Sequence, residues 1–285
     1  MGEATLRTEL SEEEANLYDR QIRLWGLESQ KRLRSTRVLV AGLNGLGAEV
    51  VKSLVLAGVK SITLLDHRNV SADDFSSQFM VQRTDIGKNR AHSSRAYAQS
   101  LNPMVEVLSE EGSLTDRDDA YLERFNVVCC AETPSTEALV RLNAACRARG
   151  IKFYCGHVWG LFGYFFSDLV EHTYTQELPQ FMVKKTNDSD PGAAKKPKMD
   201  DLSSNIIQKV KYVTLSLLTQ NVLVRAAVCE VLVCACIRPA VLLRFHDEVG
   251  VSPGEADRER LLSLWEAVAQ ELAVEKERLP EDLLR

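Results

Sequence analysis

The chain has 285 residues, 45% of them hydrophobic and 26% charged, the composition of a globular protein long enough for one large or two ordinary domains. A formal net charge of −5 implies no general affinity for nucleic acid. The seven cysteines include no C-x-x-C pair, which argues against a zinc site and suits a reducing compartment, and the polar, acidic opening MGEATLRTELSEEEAN is not a signal peptide.

In chain order, Ser11 followed by Glu14 reads as a capping box that opens a helix. Tyr18–Gly26, YDRQIRLWG, reads as an amphipathic helix with Ile22 and Trp25 buried and Arg20 and Arg23 solvated. Ser29–Leu33 is a short helix. The chain is organised around the next stretch, Arg37–Asp66. Val38–Val40 is an apolar, β-branched run that reads as a buried strand. Gly42-Leu43-Asn44-Gly45-Leu46-Gly47 is a glycine-rich turn, and Leu46, Val50, Leu54 and Val55 follow at helical spacing to a stop at Gly58. Ile62–Leu65 is a second strand with Asp66 at its end. This is one βαβ unit, with an acid about twenty residues past the turn as in nucleotide-binding folds. Asn44 stands where the pattern G-x-G-x-x-G has its second glycine, and a side chain there crowds the approach of a phosphate. A purely structural βαβ unit fits the stretch as well as a nucleotide-binding one.

Beyond Asp66, residues 67–87 read as a long ordered loop with a short helical turn. Lys88–Leu101 is a helix ended by Asn102-Pro103, and Val105–Leu108 is a strand. Asp116–Phe125 is helical, Val127–Cys130 a buried strand, Thr136–Arg149 a helix and Ile151–Tyr154 the next strand. Gly160–Glu171 reads as an antiparallel hairpin or edge strand, and Val210–Leu215 as a strand. Leu215–Ile237 is long and apolar, but Arg225 and Glu230 near its middle favour a buried helix over a membrane span. Residues 251–272 form a helix with Leu261, Leu262, Leu264, Trp265 and Val268 inward. The pattern predicts an α/β fold: a Rossmann-like, doubly wound, mostly parallel sheet with antiparallel edge strands and a C-terminal helical extension. The chain divides into N-terminal helices (1–35), the Rossmann-like domain (36–183), a disordered polar linker (184–204) and a divergent C-terminal segment (205–285).

Several segments carry a resemblance. YDRQIRLWG (18–26), the whole of 37–66, QFMV (78–81), GKNRA (87–91) and LNP (101–103) resemble the activating enzymes of ubiquitin-like proteins. DRQIRLWGLE, GLGAEVVKSLVLAGVKSITLLDH and KFYCGHVWGLFGYFFSDLVEH are similar, closer still, to the smaller subunits of SUMO-activating enzymes. The likeness is near-continuous from about residue 11 to 213 and resumes weakly around Val241–Gly250 and Leu261–Arg285.

The resemblance implies a chemistry and a division of labour. In the family, the modifier's C-terminal carboxylate attacks the α-phosphate of ATP, pyrophosphate leaves, and the acyl-adenylate passes to a cysteine as a thioester. Matched to the family's motifs, this chain departs at most of the working positions. Asn44 replaces a turn glycine, and Arg68 replaces the acid two residues past Asp66. Asp73–Phe79 (DDFSSQF) stands for S-N-L-N-R-Q-F, which puts Ser77 at the arginine that touches ATP. Arg90 stands for a lysine. Pro134 stands at the magnesium-binding aspartate, with Glu132 two residues off register as the other candidate. Gly42, Gly45, Gly47 and Asp66 are then vestiges of a nucleotide site, and no metal ligand or thioester-cysteine domain is implied.

What the resemblance leaves to this chain is Arg20, the arginine that in the family crosses a pseudo-two-fold interface into the opposite subunit's ATP site, with Arg23 as a second candidate. It implies a non-catalytic half of a heterodimer whose partner is the catalytic SUMO-activating subunit. SUMO is the substrate of the complex, and ATP and magnesium sit in the partner. Nucleic acid and membrane are not implied as partners. Lys195-Lys196-Pro197-Lys198 resembles a nuclear-import signal, or is a solvated basic patch, and the resemblance places the protein in nucleus and cytoplasm. The family's subunit ends with a further strand and helix that this chain lacks, and residues 215–238 depart from its pattern, which implies weaker pairing. The rivals are a self-sufficient adenylating homodimer of the molybdopterin or thiamine pathway type, opposed by Pro134 and Ser77, a nicotinamide-dependent dehydrogenase, opposed by Asn44 and YDRQ, and the regulatory half for a Nedd-type modifier, opposed by the retained turn glycines.

Overall fold

The computed structural model describes residues 11–159, 162–177, 205–211, 241–242, 244–250 and 254–271. Three short helices come first: α1 (Glu12–Leu17), α2 (Asp19–Trp25) and α3 (Leu27–Ser35). The capping box is present. Glu14 accepts from the Ser11 N–H at 3.0 Å and donates its own N–H to Ser11 Oγ at 3.2 Å. The same carboxylate pairs with Arg34, which ties α1 to α3.

The expected burial of α2 needs correction. None of its residues is buried, and Trp25 is 37% exposed. Tyr18, just before it, is the buried residue at 1%. The reason is that α2 is held by hydrogen bonds rather than by an apolar stripe, as described below.

The βαβ unit forms as the sequence predicts: β1 (Arg37–Ala41), α4 (Gly45–Ala57) and β2 (Ser61–Asp66). Leu39, Val40 and Ala41 are wholly buried because both sheet faces are covered, which is why β1 is a continuous apolar run rather than an alternation. Gly58 ends α4 at φ +82° in the left-handed region. There follow α5 (Arg90–Leu101), β3 (Glu106–Glu111), α6 (Asp119–Leu122), β4 (Val127–Cys130), α7 (Thr136–Ala148), β5 (Lys152–Trp159), β6 (Phe162–Asp168), β7 (Glu171–Glu177), β8 (Asn205–Lys211) and α8 (Arg258–Glu271). The helix expected over Asp116–Phe125 shrinks to α6, preceded by a 3-10 turn at Leu114–Asp116. The stretch between β2 and α5 is a loop with two 3-10 turns.

The main sheet has the order β3-β2-β1-β4-β5-β6; the first five strands are parallel and β6 runs antiparallel to β5. On one face Val38, Val40, Ile62 and Leu64 meet Ala48, Val51 and Val55 of α4. On the other, Leu39, Ala41, Val128 and Phe153 meet Leu139, Leu142 and Cys146 of α7. The edge is pinned by Asp168, 1% exposed, which accepts from Asn143 Nδ2 at 2.9 Å and Arg147 Nη1 at 2.7 Å. This is a Rossmann-like α/β architecture with an antiparallel edge.

Beyond it, β8 pairs antiparallel with β7, beginning five residues before the strand expected at Val210–Leu215. In α8, Trp265 and Val268 are buried as expected, but Leu262 is 41% exposed, because it sits at the edge of their face, a third of a turn round the helix from Val268. The linker at 184–204, the basic Lys195–Lys198 run, the apolar stretch Leu215–Ile237 and Cys229, Cys234 and Cys236 lie outside the described residues. No described helix is long and apolar enough to cross a membrane.

Candidate functional site

The connections leaving β1 and β4 run in opposite directions, so their carboxyl ends form the switch point where open α/β sheets bind ligands. The glycine turn sits there and is closed by its own chain. Gly42 has φ +89°, and a Cβ on it would lie 2.5 Å from the Glu132 nitrogen. A Cβ on Gly47 would lie 1.8 Å from the Gly42 carbonyl oxygen, and one on Gly45 2.7 Å from Cβ of Ser77. The three glycines are therefore required by packing alone. Asn44 is the N-cap of α4. Its Oδ1 accepts from the Gly47 N–H at 2.9 Å, and its Nδ2 donates to the Ala131 carbonyl at 2.8 Å. The side chain that departs from the nucleotide pattern thus supplies the helix end with an internal acceptor.

The other expected contacts are engaged in the same way. Asp66 is 1% exposed; its carboxylate accepts from the N–H of Leu43 at 2.6 Å and of Arg68 at 2.8 Å, bracing the turn. Arg90 is gripped by Asp74 through Nε at 2.9 Å and Nη2 at 2.6 Å. Ser135 caps α7 through the Ala138 N–H at 3.2 Å, and Asp247 accepts from the Thr136 N–H at 3.0 Å. Pro134 offers no ligand atom. Glu132 is buried; it accepts from Ser113 Oγ at 3.0 Å, and its other oxygen lies 3.8 Å from His67 Nδ1. Burial holds the Glu132 carboxyl above its ordinary range, against the opposing pull of Ser113 and His67. Nearby, burial pushes His157 down to about 4, and His246 and Arg68 add to the effect. The described residues contain no cluster able to hold a metal ion. A nucleotide triphosphate and its metal do not fit this arrangement: the Gly47 N–H, the Asp66 carboxylate and the Arg90 guanidinium already have partners, and Ser77 covers Gly45.

A cavity of about 930 Å³ lies elsewhere, between α3, α4 and the sheet face. Leu46, Val50, Leu54, Cys129 and Tyr154 line it, and none of Gly42, Gly45, Gly47, Asp66 or Arg90 does. It also explains why Leu46, Val50 and Leu54 are only half-buried while Ala48, Val51 and Val55 fill the core. Burial pushes the thiols of Cys129, Cys146 and Cys155 up to about 12 and raises Cys130 likewise, so none of these is a ready nucleophile at neutral pH.

The arginines of α2 face the other way. Arg20 is exposed and makes no ion pair or hydrogen bond among the described residues. Arg23 pairs with Asp19 at 2.9 Å. Leu24, four residues on and 79% exposed, shares the Arg20 face, and Leu17 and Leu27 are 56% and 45% exposed to either side.

The ThiF family profile matches residues 18–199, from the start of the YDRQ segment and through every strand of the main sheet. The chain belongs to the ThiF family. Relatives include SUMO-activating enzyme subunit 1 of Xenopus laevis, 39% identical over 287 residues covering 96% of this chain and 81% of that protein. The subunit 1 of Homo sapiens is 37% identical over 286 residues, 97% of this chain and 82% of that protein. The Danio rerio protein of the same name is 47% identical over 204 residues, 71% of this chain and 58% of that protein. The chain is thus a ThiF-family homologue of SUMO-activating enzyme subunit 1.

Within this ThiF domain, two features of the site were not read from the sequence. The capping role of Asn44 had a local signal, an asparagine three residues before Gly47 at a helix start. The contact of Asp247 on α7 had none, because it comes from 111 residues along the chain.

Proposed function

We propose that this chain is the non-catalytic subunit of a heterodimeric SUMO-activating enzyme, and that Arg20 completes the ATP site of the catalytic subunit in trans. Adenylation and thioester transfer of SUMO belong to that partner, which holds the ATP and magnesium; this chain holds neither. The heterodimer acts in nucleus and cytoplasm. The observation that carries the reading is the contrast between Arg20 and the other arginines near the motif. Arg23 and Arg90 are paired within the chain, whereas Arg20 stands unpaired among the described residues, on a face with exposed leucines. The guanidinium is thus left free for a group outside the chain, beside the exposed Leu17 and Leu24. Its planar, permanently charged donors suit phosphate oxygens, and an arginine given in trans stabilises charge on a transferring phosphoryl group. Here it would offset the charge that builds as pyrophosphate leaves.

The test is pyrophosphate exchange by this chain mixed with the SUMO-type catalytic subunit. Exchange is expected to need both chains. Arg20→Ala is expected to lower it by about 10³-fold, the low end for an arginine supplied in trans, with heterodimer formation unchanged. Exchange by this chain alone, or exchange unaffected by Arg20→Ala, would overturn the reading.

A further inference from the structure

α2 has seven residues, too few to be helical on its own, yet it carries the side chain on which the proposed function turns. What holds it is the far end of α4. The last carbonyls of α4 lie beyond the reach of its own i→i−4 ladder, and of Val55, Leu56 and Ala57 only Val55 takes a backbone N–H, from the capping Gly58 at 3.1 Å. Three side-chain amides reach them. Gln21 Nε2 donates to the Leu56 carbonyl at 3.1 Å, Gln30 Nε2 to the Ala57 carbonyl at 3.0 Å, and Asn102 Nδ2 to the Val55 carbonyl at 3.0 Å. Both ends of α2 are tied into this group. At its start, the Tyr18 hydroxyl accepts from Asn102 Nδ2 at 2.8 Å, and the ring lies against Gly58, where a Cβ would come within 2.5 Å of it. At its end, Trp25 Nε1 donates to Gln30 Oε1 at 3.0 Å. Tyr18, Gln21 and Trp25 recur at positions that share one helical face, leaving Arg20 and Leu24 outward.

We infer that Gln21, with Tyr18 and Gln30, is a positioning residue: it seats α2 on the carbonyl end of α4 and so sets the direction in which Arg20 leaves the surface. The inference rests on the in-trans role of Arg20. The Gln21 Oε1 atom is buried without a donor among the described residues. A methionine or leucine would fill that space with no unpaired oxygen, so the amide is held for what its Nε2 does. Gln21 touches no expected substrate, and its effect passes through Arg20.

The experiment is a double-mutant cycle in the reconstituted heterodimer, read as pyrophosphate exchange at varied ATP. Gln21→Ala is expected to cost roughly tenfold, since misplacing a reacting group by about 1 Å can cost up to a hundredfold. Gln21→Glu, which keeps the shape but loses the donor, is expected to cost as much. Neither variant is expected to change the stoichiometry of the complex. In an Arg20→Ala background, Gln21→Ala is expected to cost nothing more. A tenfold loss that persists in that background would overturn the positioning role and leave the in-trans reading standing. An Arg20→Ala variant with full exchange would overturn the in-trans reading itself. Hydrogen exchange supplies a second, independent readout: amides of Asp19–Trp25 are expected to exchange faster in Gln21→Ala, and unchanged exchange would overturn the inference.

Discussion

The two ends of α4 are both met by side-chain amides, with opposite results. At the amino end Asn44 folds back on Gly47 and Ala131, and the surrounding side chains pair with one another. At the carboxyl end Gln21, Gln30 and Asn102 cap the last carbonyls, and the helix they carry points a guanidinium outward. One helix therefore has a closed end, where Asn44 takes up an N–H of the first turn, and an open end that serves as a platform for α2. The difference teaches that a glycine turn can persist for packing alone.

Substitutions at the two ends are expected to separate stability from activity. Gly47→Ala is the largest: the new Cβ would lie 1.8 Å from the Gly42 carbonyl, and backbone cannot yield as a side chain can. A loss of about 3 kcal/mol or more is expected, read by denaturant unfolding. Gly58→Ala comes next, at about 2 to 3 kcal/mol, from the left-handed φ and the push on the Tyr18 ring. Unlike a purely structural change, it is expected to lower pyrophosphate exchange of the folded complex about tenfold as well. Asn44→Ala is expected to cost about 1 to 2 kcal/mol for the lost cap and the stranded Ala131 carbonyl, with exchange by the complex unchanged. If Asn44→Ala lost exchange while Gly58→Ala kept it, the assignment of the two ends would be reversed.

The smallest effect is one of pH. His157, pushed down to about 4, stays neutral in the folded chain at pH values where the unfolded chain is protonated. Stability is therefore lost as pH falls from about 6.5, the ordinary value of an unfolded histidine, toward 4. His157→Gln is expected to flatten that fall, measured by urea unfolding at pH 4.5 and pH 7.

The sheet was legible because β1, β2 and β4 are apolar runs with turn glycines between them, and local pattern suffices for buried parallel strands. The glycine turn and Asp66 were legible as a constellation, although not as a self-capped one. What the pattern misjudged was α2, where Ile22 and Trp25 looked like a core stripe. Periodicity records which side chains could face inward, not whether hydrogen bonds to a neighbouring helix end do the holding. Leu262 failed for the same reason, since a helix rich in leucine has more apolar faces than there is core to receive them. The Asp247 contact was out of reach of any local reading.

The carboxamide of Asn44 also completes the start of α4 from within the chain. Where a substrate completes a helix terminus, its supply feeds into folding by mass action, and a starved cell would hold more of the protein unfolded. On the proposed reading the terminus completed by Asn44 leaves folding of this chain uncoupled from nucleotide supply, and its unfolding temperature is expected to stay unchanged on adding ATP.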